Sequence, residues 1–212
     1  MLDTTYSGLL ASVADFLNRA DLTATIPDLV VLAEAQMNRQ FITNGPPREM
    51  MGRSDATINA EFMAVPSDFL ATVAIYLTTT TGVSSLKFTT PEKIVELKVN
   101  YPSESGDPQR FTVLGTAFQF WPWTSGTYTG ELTYYKTIPP LATNTTGNWL
   151  LSAYPDAYLY GTLLQSAPYL KDDARIQVWG TAFQQILSDI CATGRIARDA
   201  PMLAIPRNPM IV

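Results

Sequence analysis

The sequence predicts an α+β fold: a helical bundle of about four helices drawn from both chain ends, with a central antiparallel β lobe. Three observations lead there. Apolar residues recur at helical spacing up to about residue 41 and again after residue 140. From about 48 to 136, Thr, Val, Tyr and Phe dominate and Gly or Pro recurs at short intervals, which is the pattern of strands. Proline pairs mark both changeovers, at Pro46-Pro47 and Pro139-Pro140. The expected organisation is a body from residues 1–47 and 140–199, a β-rich lobe over 48–139, and an extended C-terminal arm over 200–212.

The first helix is expected over 5–19, with Thr4 or Thr5 as cap and Leu9, Val13, Phe16 and Leu17 on one face. A second runs from about Thr25 to Phe41. Thr25 is its N-cap, Pro27 lies in the first turn and Asp28 favours the helix dipole. Its stripe is Ile26, Val30, Ala33 and Met37, widened by Leu29 and Leu32, and Asn44-Gly45-Pro46-Pro47 breaks it. Strands follow at 55–65, 70–79, 83–89, 110–114, 117–121 and 128–136. Phe111, Val113, Phe118 and Phe120 alternate around Gly115-Thr116, a hairpin with glycine first in the turn. Pro91-Glu92-Lys93 opens a short helix to about Val99, and 100–109 is a polar loop. Tyr154-Pro155-Asp156 starts another helix, with Leu159, Leu163 and Leu164 inward and Pro168 at its end. Asp172-Asp173 begins the longest helix. There Ile176, Trp179, Phe183, Ile186 and Ile190 form a seam for helix packing, and Gly194 ends or loosens it.

Composition narrows the function. Charged residues are 16% of the chain, well under the roughly 25% usual for soluble proteins. With 11% aromatics, this points to a surface covered by contacts, as in a large homo-oligomer. The alternative is a monomer whose Thr and Ser supply polarity without charge. A net charge of −5 and scattered Lys and Arg argue against a module that grips nucleic-acid phosphates. The single cysteine, Cys191, allows no internal disulfide and is expected to pack as a small hydrophobe. No stretch approaches the ~20 apolar residues of a membrane span. The start, MLDTTYSGLL, lacks a signal peptide's basic region. Synthesis in a reducing cytoplasm is expected.

Chemistry is hard to find. There is no histidine, which removes the commonest general base, Ser-His-Asp and Cys-His arrangements, and histidine metal sites. Phosphate-cradling glycine loops and the nucleophile-elbow motif are absent. Carboxylate pairs of the kind glycosidases use remain, with Glu34, Glu61, Asp68, Glu131 and Asp156 as candidates by type, though no spacing selects two of them. The run Phe118-Gln119-Phe120-Trp121-Pro122-Trp123 is either a half-buried strand or a platform for sugars, and its alternation favours the strand. No catalytic residue, cofactor or metal site is expected.

One stretch is more specific. Asn148-Trp149-Leu150-Leu151, then Tyr154-Pro155-Asp156-Ala157-Tyr158-Leu159-Tyr160-Gly161, then Tyr169-Leu170 with Asp172-Asp173 and Trp179, resembles the signature of head-to-tail adaptor proteins of tailed, especially short-tailed, bacteriophages. Earlier pieces follow in order: Ile26-Pro27-Asp28-Leu29 with Ala33-Glu34 and Asn38-Arg39; Val65-Pro66-Ser67-Asp68-Phe69-Leu70 at the step into the β lobe; and Gly115, Phe118 and Pro122 followed by Leu132, Tyr134 and Tyr135. The resemblance spans roughly Ile26 to Ile190. The loop at Thr43–Pro47 and the last thirteen residues lie outside it.

This resemblance implies a structural virion protein made in the host cytoplasm and placed at the head–tail junction. It implies a homo-oligomeric ring, usually of twelve copies, beneath the portal protein. Such a ring extends the DNA channel and offers a platform to the tail nozzle or another tail protein, with DNA only passing through the lumen. The alternatives are another head- or tail-completion protein and a carboxylate-dependent cell-wall glycan hydrolase. The C-terminal arm is expected to dock on another chain. Pro201, Pro206 and Pro209 keep it extended, while Met202, Leu203, Ile205, Met210, Ile211 and Val212 are apolar and call for a groove.

Overall fold

The computed structural model describes residues 4–79, 82–144, 146–170 and 174–199. In chain order the elements are α1 (Tyr6–Leu17), α2 (Ile26–Asn44), β1 (Met51–Ile58), β2 (Phe62–Ala64), β3 (Phe69–Thr79), β4 (Gly82–Ser85), β5 (Lys87–Phe88), α3 (Pro91–Asn100), β6 (Ser105–Gly106), β7 (Arg110–Leu114), β8 (Ala117–Trp121), β9 (Trp123–Thr124), β10 (Tyr128–Lys136), α4 (Trp149–Ala153), α5 (Pro155–Gln165) and α6 (Arg175–Asp199). This is an α+β protein of two compact units. Residues up to Met50 and from Ile138 onward form the helical unit, and Met51–Thr137 form the β unit.

In the helical unit, Thr5 caps α1 by accepting the Gly8 N–H at 3.1 Å, and Asn18 closes it in the left-handed region. Leu9, Val13 and Leu17 are buried, but Phe16 is 48% exposed, against expectation. It falls about 60° around the helix from Val13, on the edge of the buried face. Thr25 precedes α2 without a side-chain cap bond, and the helix runs on to Asn44, three residues beyond the expected end. Its buried stripe is Ile26, Leu29, Val30, Ala33, Glu34, Met37 and Phe41. Leu32 is 52% exposed instead of widening the stripe, because it lies about 140° from Met37. Helix α4, which periodicity did not predict, is a short turn capped by Asn148, whose Oδ1 accepts the Leu151 N–H at 2.8 Å.

Helix α5 touches α1, α2, α4 and α6. The approach is close at Gly161, where an added Cβ would lie 2.8 Å from the Phe183 ring and 3.5 Å from Ala33 Cβ. Leu159 and Leu163 are buried, whereas Leu164 is only partly so. On α6 the buried positions are Trp179, Phe183, Leu187, Ile190, Cys191 and Gly194. Ile176 and Ile186 are half-buried, so Leu187 takes the place expected of Ile186. Spacing by four drifts around a 3.6-residue helix and selects 187 over 186. Gly194 does not end the helix, which continues to Asp199. Its lack of a side chain admits the chain after α2, since a Cβ there would lie 2.8 Å from Pro47 Cα. The expected start of this helix at Asp172-Asp173 lies outside the described residues.

The β unit holds two four-stranded sheets, ordered β1-β10-β3-β4 and β2-β8-β7-β5. Ile58, Ile75, Leu77, Leu132 and Tyr134 from the first meet Phe111, Phe118 and Phe120 from the second, with Leu86 between strands. Two runs expected as single strands are each split between the sheets. The 55–65 run becomes β1 and β2, and the 83–89 run becomes β4 and β5. At the second split, Leu86 N–H donates to Ile75 O at 2.8 Å and Lys87 N–H to Gln109 O at 2.9 Å, so the chain changes sheets within one residue. The β7–β8 hairpin forms as expected, with Gly115 at φ 57° supplying the left-handed first turn position. Two short pairings, β5–β7 and β6–β9, are parallel, and β6 lies within the expected polar loop.

Two substitutions test this packing. Trp179→Ala should cost ~3–5 kcal/mol in chemical denaturation; a loss under ~1 kcal/mol would show that the α6 seam is misplaced. Alanine normally stabilises a helix over glycine by about 0.5–1 kcal/mol. Gly194→Ala should reverse that sign, because Pro47 backbone blocks the Cβ, and cost ~1–3 kcal/mol.

Candidate assembly surfaces

The five candidate carboxylates do not converge on a catalytic pair; each has its own structural partner. Glu61 pairs with Lys98 and accepts from Gln119 Nε2 at 2.6 Å. The Lys98 ammonium also lies 5.9 Å from the Phe62 ring centroid and 5.2 Å from that of Trp123. Asp68 accepts from the Tyr134 hydroxyl at 2.9 Å, tying the turn before β3 to β10. Glu131 meets Arg53 at 2.8 Å across the β1–β10 pair. Asp156 accepts its neighbour's N–H, from Ala157 at 3.0 Å, in the first turn of α5. The aromatic run 118–123 is likewise committed to packing: Phe118, Phe120 and Trp121 are buried, and only Trp123 offers a partly open face.

Among the described residues, Glu34 is the one buried charged residue of the helical unit's core. Its Oε1 accepts the Leu141 N–H at 2.9 Å and the Tyr158 hydroxyl at 3.0 Å. Asn148 Nδ2 donates to Tyr158 Oη at 2.7 Å and to Pro139 O at 2.7 Å. Nearby, Asn38 Oδ1 accepts the Ile138 N–H at 3.0 Å. Burial pushes the Glu34 carboxyl above its ordinary range, with the bonds from Leu141 and Tyr158 opposing the shift. Burial, then the Glu34 charge, pushes the Tyr158 phenol upward. Sequence reasoning named Glu34 by residue type alone. Its partners lie more than a hundred residues away, and nothing local signals them.

Several exposed positions are apolar. Phe16 on α1 and Val31 and Leu32 on α2 are exposed, as are Val95 and Val99 on α3 of the β unit. The outer face of α6 is another exposed surface. From Ile176 to Ser188 that helix carries no charged residue. Gln177, Val178, Thr181, Gln184, Gln185 and Ser188 are exposed along it, Val178 to 66%. A shallow groove there is lined by Ala174, Gln177, Val178, Thr181, Ala182 and Gln185. Cys191, on the inner side, is buried, and burial raises its thiol above the ordinary range while Arg195 opposes. The predicted docking residues Met202, Leu203, Ile205, Met210, Ile211 and Val212 lie outside the described residues. No helix among the described residues is long and apolar enough to cross a membrane. Among those residues, no group of three or more His, Cys, Asp or Glu could hold a metal ion.

The Glu34 network generates a prediction with a definite sign. A carboxyl whose folded pKa is raised contributes most below its unfolded value, and that contribution is lost as pH rises through the folded pKa. Glu34→Gln keeps an acceptor for Leu141 and Tyr158 and removes the buried charge. Its melting temperature relative to the parent should therefore climb as pH rises through and above the ordinary carboxyl range; a constant difference would show that Glu34 is not held against ionisation. Tyr158→Phe leaves part of the network unpaired and should cost ~1–3 kcal/mol in denaturant.

No curated protein matches the chain. The family model described as SU10 adaptor protein matches residues 4–205, nearly the whole sequence. That span includes residues of both the helical unit and the β unit. The chain therefore belongs to the SU10 adaptor protein family, a family of phage head–tail adaptors, and is a structural component of that kind.

Proposed function

We propose that this chain assembles into a closed ring, of twelve copies, at the head–tail junction of a virion, where it joins the portal protein to the tail and extends the DNA channel. The observation that carries the proposal is the uncharged outer face of α6, on the longest helix of a family adaptor. A solvated helix face normally carries charge. Gln, Thr, Ala and Val along several turns suit burial against another chain, because none of them takes a charge out of water. The helical unit makes the ring contacts, and the β unit meets a tail protein such as the nozzle. Heterologous contacts that close on themselves produce rings. Each contact costs association entropy, so a monomer can persist until portal supplies a template. The net charge of −5 suits a lumen that DNA passes without adhering, since phosphate binding needs cationic partners.

The partners assigned to the candidate carboxylates favour this role over glycan hydrolysis. Glu61 is paired with Lys98, Glu131 with Arg53, and Glu34 is closed into a buried network.

Electron microscopy and particle-mass measurement of the protein alone and mixed with portal should give a ring with multiple copies at one vertex; a single copy per particle would sink the proposal. Val178→Glu combined with Thr181→Glu changes only exposed positions and should leave the monomer's melting temperature within a degree or so while abolishing assembly. Peptidoglycan should stay uncut by the purified protein. Cleavage that disappears in Glu61→Gln or Glu131→Gln would overturn the non-enzymatic assignment.

A further inference from the structure

We infer that the C-terminal segment, residues 200–212, of one copy seats in the groove on the outer face of α6 of a neighbouring copy. The inference rests on the ring reading and specifies one of its contacts.

The two surfaces match in chemistry. The groove has an apolar floor at Val178 and Ala182, bordered by Gln177, Thr181 and Gln185. The segment brings Met202, Leu203, Ile205, Met210, Ile211 and Val212, and Arg207 is its one charged side chain. Flexible Met and branched Ile side chains suit a shallow, uneven floor. An extended segment also carries backbone N–H and C=O groups that need partners once water is removed. Glutamine supplies both a donor and an acceptor without a charge to bury. Gln177, Gln184 and Gln185 place three such groups beside the groove.

Chain geometry favours a neighbour over the same copy. Folding back along its own helix would require a reversal at the end of α6. Such reversals use glycine or asparagine in the left-handed region, and neither occurs from Arg195 to Arg207. Pro201 disfavours helical backbone at Ala200, which opposes a tight turn back onto the same helix. Length permits the crossing. Thirteen extended residues reach about 43 Å, and the uncharged stretch of α6 from Gln177 to Ser188 takes up roughly 18 Å. The remaining ~25 Å exceeds the 8–10 Å between packed helix axes.

Disulfide trapping tests this in a Cys191→Ala background. One chain carries Thr181→Cys, a second, tagged, carries Ile205→Cys; the two are mixed, assembled with portal and oxidised. Dimers containing one chain of each kind should exceed, by about tenfold or more, those formed when the exposed Val99→Cys replaces Thr181→Cys. Equal yields in assembled rings would overturn the inference and leave the ring standing. With both substitutions in one chain, a ladder of linked chains is expected, and internally closed monomers would overturn it. Independently of any cysteine change, deleting residues 200–212 should preserve the melting temperature and lower the assembled fraction about tenfold. Normal assembly of the truncated chain, or its unfolding several degrees earlier, would overturn the inference. Failure of the unaltered protein to assemble even with portal would instead remove the ring itself.

Discussion

The helical unit depends on a buried carboxylate. Glu34 lies in the middle of α2, near one chain end, and is held by Tyr158 on α5 and by the Leu141 N–H, both from beyond the β unit. Burying a charge is expensive unless hydrogen bonds compensate, and here the compensating groups come from the returning chain. Asn148 extends the network by holding Pro139 and Tyr158 while capping α4. The whole β unit is therefore an insertion whose far end must return to α2 in one register. An apolar contact could slide; a carboxylate with two fixed donors cannot do so without losing them. The network spends stability on ionisation and fixes where the chain re-enters the helices.

With re-entry fixed, close packing does the rest. Gly161 lets α5 approach the Phe183 ring and Ala33, and Gly194 lets α6 approach Pro47. Arg195 then donates to the exposed Asn44 carbonyl at the end of α2, 3.2 Å away. The long helix is thus held along its inner side by large apolar residues, a buried thiol and a glycine contact. Its outer side has no such work, yet it carries no charge over several turns. The β unit is built differently. Aromatic side chains from two sheets fill its core, and its charges pair across strands, as Arg53 and Glu131 do. Its internal polar groups are largely used within the unit, whereas the outer face of α6 is open.

Much of this was legible in the sequence because the patterns were local. The hairpin at Gly115, the strand 128–136, the cap at Thr5 and the stripe Ile26, Val30, Ala33 and Met37 each follow from residues within a few positions of one another. The failures share a cause. Phe16, Leu32 and Ile186 were placed inward by hydrophobicity, but small angular offsets left them at the margin or outside the buried faces. The runs 55–65 and 83–89 are unbroken by Gly or Pro, so composition does not mark the corner at Leu86. Gly194 looked like a helix end because its neighbour Pro47 is distant in sequence. Glu34 was one acidic residue among many until Tyr158 gave it a partner.

The division of labour between the two sides of α6 has a consequence for assembly. A strongly apolar outer face would bind indiscriminately and expose the monomer to aggregation. A charged one would pay desolvation at every contact. An amide- and hydroxyl-rich face with a few aliphatic residues avoids both, and each contact it would make in the proposed ring is correspondingly weak. In that proposal, weak single contacts suit a component that remains unassembled until portal is present. In a closed ring every copy is held by two neighbours, and later contacts form between chains already tethered, so local concentration replaces association entropy as the governing term. Low charge and modest single contacts thus belong to the same design. In the proposed ring, affinity would arise from closure.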